Sequence, residues 1–168
     1  ATMISNRPIA EMKTLAKKHF GKIKDNGIDK PRVNAPVALE GQLQKLVRYV
    51  PQTEMKELQV RFVIDNNKDQ FAVKPNYFVN YLLHNEMPGS LATTLRDMGL
   101  TENLYSSANA SEYDNAGRLS IHAQLTEKGL QHRELVAGLI FKYIELIKEK
   151  GVDEKYFHEI KQSLSNNF

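Results

Sequence analysis

Cysteine is absent from the sequence, which removes disulfides, thiolate zinc sites and cysteine nucleophiles together. Its absence leaves the compartment open, because an exported protein need not carry a disulfide. Tryptophan is missing as well. No apolar run approaches the ~20 residues that a membrane span requires, and no signal-peptide pattern opens the chain, so no membrane partner is expected. Charge of one sign is also scarce: 23 basic and 20 acidic residues are interspersed and leave a net +3. Without a basic run separated by aromatics, the pI of about 9.0 gives no reason to expect nucleic acid as a partner.

The usual hydrolytic motifs are missing or broken. His158-Glu159-Ile160-Lys161-Gln162 has the first two letters of the zinc-helix pattern HExxH, but Gln162 stands where the second ligand belongs. The inverted pattern HxxEH fails at His19, His84, His122, His132 and His158 alike, since none is followed by Glu-His at the required spacing. No GxSxG elbow, glycine-rich phosphate loop or calcium loop is present. Asn109-Ala110-Ser111 matches a glycosylation acceptor, a pattern common enough by chance to carry no weight. On its residues alone, the chain argues against an enzyme.

What is present is a chain of 168 residues, long enough to bury a sizeable core as one domain, or as one domain plus a piece of another. It begins at Ala1 and ends at Phe168 inside a helical pattern, which leads us to expect an excised segment of something longer. Ile9, Met12, Leu15, Ala16 and Phe20 recur at helical spacing between Pro8 and Phe20, and Gly21 is a natural stop. Lys22 to Gln42 is polar and broken by Gly27, Pro31, Pro36 and Gly41, which marks it as the candidate domain boundary. Leu46-Val47-Arg48-Tyr49-Val50 is β-rich and reads as a short strand ended by Pro51. Leu58, Val60, Phe62 and Ile64 then alternate with Gln59, Arg61 and Val63 as a strand with one buried face, closed by Asp65-Asn66-Asn67.

Further on, Gly99 is placed to end a helix, and the small residues of Leu104-Tyr105-Ser106-Ser107-Ala108-Asn109-Ala110 suit a strand that something else approaches closely. Tyr113-Asp114-Asn115-Ala116-Gly117 has turn chemistry, and Leu119, Ile121, Ala123 and Leu125 alternate behind it, so these two strands are expected to form a hairpin. Thr126 can cap a helix with Glu127 in its first turn. Leu135, Val136, Leu139, Ile140, Tyr143, Ile144 and Ile147 give that helix an apolar stripe up to Gly151, and Asp153 caps a last helix bearing Phe157, Ile160 and Leu164. The expected order is α, β, β, α, α, β, β, α, α, an α+β fold with a mostly antiparallel sheet and helices packed on one face.

The rest of the chain is organised around Lys74 to Leu91. Pro75 sits where a first helical turn tolerates it, and Pro88-Gly89-Ser90 stops that helix and caps the next. Tyr77, Asn80, Tyr81 and His84 share one helix face by their spacing, while Phe78, Leu82 and Leu83 form a greasier neighbouring one. Such a stripe can offer stacking and hydrogen bonds to a ligand; equally, the tyrosines can pack at a core edge and His84 can be a solvated helix-end histidine.

Lys74 through Leu91, followed by Leu95-Arg96-Asp97-Met98-Gly99, resembles the second-domain helix pair of the pitrilysin and insulin-degrading-enzyme family of zinc metallopeptidases, whose pattern runs KP..Y...LL.HEG.GSL...L...G. Leu125-Thr126-Glu127-Lys128-Gly129-Leu130 is similar to that family's LTE.GL segment, and Phe20-Gly21-Lys22-Ile23 resembles the exit of its first, catalytic domain. The resemblance implies the insulinase or mitochondrial-processing-peptidase-like fold, with residues 1–30 the tail of the catalytic domain plus linker and 31–168 most of the non-catalytic second domain. It implies no cofactor in this segment and zinc in the parent catalytic domain. As partners it implies peptides or small unfolded proteins and the other domains of the parent chain. Bacterial relatives are usually periplasmic, which makes the periplasm the family expectation and the cytoplasm the alternative.

By the same resemblance the substrate-binding exosite falls on Tyr77, Asn80, Tyr81, His84 and Glu86 of the first helix and its exit, and on Ser106 and Ala108 of the following strand. There the substrate's N-terminal end extends a sheet edge, and Glu86 can meet the free amino terminus. Relatives of the insulin-degrading type carry glycine where this chain has Asn80, His84, Met87 and Ser106, so the shape of the exosite is expected to differ. Two other readings stay open: a stand-alone peptide-binding module, and an inactive subunit of a two-chain peptidase.

Overall fold

The computed structural model describes residues 2–29 and 31–166, and the chain divides into two units, Ala1–Pro31 and Arg32–Phe168. In the first unit, helix α1 (Ile9–Phe20) follows Pro8, and Lys17, Lys18 and His19 in its last turn complement the negative end of the helix dipole. Arg7 and Glu11 form an exposed ion pair at 2.5 Å. No residue of α1 is buried, and Ile9 and Phe20 are 69% and 51% exposed.

The second unit carries β1 (Glu57–Asp65), a short 3₁₀ turn (Lys68–Gln70), α2 (Pro75–His84), α3 (Leu91–Asp97), β2 (Thr101–Glu112), β3 (Ala116–Leu125), α4 (Glu127–Gln131), α5 (Arg133–Lys150) and α6 (Glu154–Asn166). The three strands form one antiparallel sheet in the order β1-β3-β2. Leu58, Ala123 and Leu104 align across it, as do Val60, Ile121 and Ser106, and Phe62, Leu119 and Ala108. These rows face the helices: Leu104, Ile121, Ala123 and Leu125 share a core with Leu83, Leu91, Leu95, Leu100, Val136 and Ile140, each at most 4% exposed. Helices α2 and α3 cover β2, and α5 covers β1. The expected α+β architecture with helices on one face is present.

Two expectations need correction. Leu46–Val50 is not a strand: its backbone joins no ladder, and Leu46, Val47, Tyr49 and Val50 are 72%, 77%, 68% and 94% exposed. β propensity describes fit to a pleated, half-buried surface, and no neighbouring strand supplies one here. The single long helix after Thr126 is two, α4 and α5, with the break at His132 (φ −109°, ψ 31°). Backbone packing sets this break. In α4, Gly129 lies so close to the Leu100 carbonyl that a Cβ would come within 1.8 Å of its oxygen, while α5 must turn to lay Val136 and Ile140 on the sheet.

The family-like LTEKG segment proves to be a strap. Thr126 caps α4 by accepting from the Gly129 amide at 3.0 Å, and its hydroxyl also donates to the Gly99 carbonyl at 2.7 Å. Lys128 Nζ donates to the Met98 carbonyl at 2.7 Å. The exit of β3 is thereby tied to carbonyls that follow α3, groups that a helix end leaves without partners.

Candidate functional site

Local chemistry places α2 against β2. Lys74 adopts a left-handed conformation (φ +53°, ψ 51°) that turns the chain into Pro75 at the helix start. Asn76 is held by a reciprocal amide pair with Asn67, at 2.9 and 3.0 Å, and the Asn67 amide donates to the Ala110 carbonyl of β2 at 3.1 Å. Helix α2 therefore begins near the far end of β2 and runs back along it. Pro75, Asn76 and Val79 share a cavity of about 360 Å³ with Ala108, and further along Ser106 Oγ donates to the Asn80 carbonyl at 3.4 Å. The helix ends at His84. Asn85 Oδ1 then accepts from the Met87 amide at 2.8 Å, Gly89 takes φ +84°, and Ser90 caps α3 by accepting from Thr93 N at 3.3 Å.

Three of the residues assigned by resemblance meet at this seam: Asn80, Ser106 and Ala108 line the junction of α2 with β2, an outer strand of the sheet. The Asn80 side-chain oxygen is buried there without a hydrogen-bond partner. Tyr77, 43% exposed, and His84, also exposed, stand further out on α2. Glu86 lies past the helix end, exposed, with its carboxylate 3.3 Å from the Arg96 guanidinium. Tyr81 is turned the other way: its hydroxyl donates to Glu159 of α6 at 3.1 Å, and its ring tilts against Tyr156. Burial, and then the bond to Glu159, raise the Tyr81 phenol above its ordinary value.

The side chains not foreseen are those that meet across strands. Tyr105 of β2 stacks on His122 of β3 on the helix-free face, and Glu57 and Gln59 of β1 hold the His122 ring. Their signal was the alternation itself: the turn residues made β2 and β3 neighbours, but neither the register that sets Tyr105 opposite His122 nor the placing of β1 beside β3 could be read. Among the described residues no group of three or more His, Cys, Asp or Glu comes together to hold a metal ion. His158 is exposed and Glu159 is engaged by Tyr81, so the broken HExxH segment gathers no zinc ligands.

A family described as the peptidase M16 inactive domain matches residues 2–164. Protease 3 of Salmonella typhimurium is 37% identical over 168 residues, covering 100% of this chain and 18% of the relative. The A-factor-processing enzyme of Saccharomyces cerevisiae is 29% identical over 147 residues, covering 88% of this chain and 14% of that enzyme. A crystal structure of pitrilysin superposes with a TM-score of 0.82 at 36% identity, over 92% of this chain and 16% of that one. The chain thus spans less than a fifth of the length of these relatives, and it belongs to the inactive-domain family of the M16 peptidases.

Proposed function

We propose that this domain is the substrate-holding part of a longer zinc endopeptidase that degrades peptides and small unfolded proteins, with the metal and catalytic residues in another domain of the parent chain. The observation that carries the reading is the open side of β2: an outer strand with small side chains at Ser106 and Ala108, flanked by the polar residues of α2. An extended peptide adds to such an edge through main-chain hydrogen bonds, and Glu86 supplies a carboxylate for a free amino terminus. Holding one end of a substrate lowers the entropic cost of aligning its scissile bond elsewhere. The partners are then the peptide and the remaining domains of the parent, and the compartment proposed is the periplasm.

The test is the affinity of the chain for a flexible peptide with a free amino terminus and for the same peptide acetylated. Acetylation is expected to weaken binding about tenfold, the scale of a charge-assisted hydrogen bond. Equal affinities for the two peptides overturn the assignment of Glu86, and no binding of either at millimolar concentration overturns the exosite reading.

A further inference from the structure

Successive side chains of an extended strand point to opposite faces, so a guest laid along β2 presents only every second residue to α2. The others lie over the helix-free face, which the exosite residues do not reach. There the Tyr105 ring stacks on His122 with centroids 4.5 Å apart and planes within 6°. His122 is fixed in turn: its Nδ1 lies 2.6 Å from a Glu57 carboxylate oxygen, and the Gln59 amide is 2.9 Å from its Nε2. Since β3 lies on one side of β2 and no described strand on the other, one ring face of Tyr105 is covered and the second is turned to the open edge; the residue is 46% exposed.

Beside the ring is a second cavity of about 360 Å³, with Glu54, Glu57 and Glu102 on its walls. Its one lysine, Lys56, is bound to Glu127 at 2.6 Å, which leaves the cavity's local charge negative. Glu57 is engaged by the His122 ring, which leaves Glu54 and Glu102 as the carboxylates facing the cavity. A rigid aromatic face at an open strand edge, with an exposed carboxylate on the same strand, is complementary to a cationic side chain.

We propose that Tyr105 and Glu102 form a side-chain subsite for a lysine or arginine of the guest strand, on the face opposite α2. This rests on the reading that β2 takes a guest strand. Main-chain pairing along an edge supplies affinity whatever the sequence, and pockets for alternate side chains supply the choice. The substrate class favoured is therefore a peptide with a basic residue near its amino terminus, at a position whose side chain falls on the helix-free face.

The experiment scans one lysine through positions 2 to 5 of an otherwise alanine–serine peptide with a free amino terminus, and measures affinity for the whole chain together with the backbone shifts along β2. Affinity is expected to rise about 3- to 5-fold at the one position whose side chain falls over Tyr105 and not at the positions on either side of it. Glu102→Gln and Tyr105→Ala should remove that gain, and Tyr105→Phe should keep it; Glu102 and Tyr105 are both exposed, so folding is spared. Equal gains at all four positions mean diffuse attraction and overturn the subsite. Binding with shifts on β2 but no dependence on the lysine overturns the subsite and leaves the exosite standing. Absence of any shift along β2 overturns both.

Discussion

The last turn of α2 shows how single side chains settle the position of a helix that propensity alone would leave frayed. Its Leu82 carbonyl has no amide one turn on within the helix, and the Tyr143 hydroxyl of α5 donates to it at 3.2 Å. Tyr81 is held by Glu159 from the other side. Burial raises both phenols above the ordinary value of about 10, with Glu159 adding to the shift at Tyr81. A raised phenol binds its proton more tightly in the folded chain than in the unfolded one. Its contribution is fully present below the unfolded value and is lost as pH rises through the folded one. Denaturant unfolding is therefore expected to show stability falling above pH 10, with a shallower fall in Tyr143→Phe; identical slopes for the two proteins contradict this. Asn80 makes the opposite point. Its amide oxygen is buried without a partner, a cost of about 1–3 kcal/mol, so truncating it in Asn80→Ala should be nearly neutral for stability, unlike most truncations of a buried hydrogen-bonded amide.

Elements whose cues were local were legible in the sequence. Pro75, Ser90, Thr126 and Gly151 start or stop helices where their backbone chemistry requires, and the hairpin between β2 and β3 follows from turn residues between two alternating runs. Elements decided by distant neighbours were not. Leu46–Val50 has strand composition and no strand beside it, and the break between α4 and α5 comes from the approach of Gly129 to the Leu100 backbone. That approach predicts a large effect of one methyl group. Gly129→Ala should destabilise the fold by about 3 kcal/mol, measured by chemical denaturation, because the clash is with backbone that cannot rotate away. A loss under 0.5 kcal/mol would show that α4 is free to shift. For the candidate site, the helix that carries Tyr77, Asn80, Tyr81 and His84 was readable from spacing, but the turning of Asn80 into the β2 seam, of Tyr81 toward α6, and the pairing of Tyr105 with His122 depend on register and packing.

At the scale of the molecule, the chain spans 18% of the length of Protease 3. Four apolar residues of Leu46–Val50, with Ile9 and Phe20 of α1, are more than half exposed. Contiguous exposed apolar segments of this kind associate. Light scattering on the chain alone is expected to show concentration-dependent self-association, reduced by Val47→Lys with Val50→Lys; a monomer at all concentrations contradicts it. Because neither side chain is buried, the double substitution should change stability by less than about 0.5 kcal/mol. The central claim is that the open edge of β2 holds the amino-terminal end of a peptide. It is tested most directly by an NMR titration of the labelled chain with an unmodified flexible peptide. The account predicts shifts confined to Tyr77 through Glu86 and Glu102 through Ala110, weakened when the peptide is acetylated. Shifts centred on β1 or on α1, or none at saturating peptide, would contradict it and return Tyr77, Tyr81 and His84 to a purely structural role.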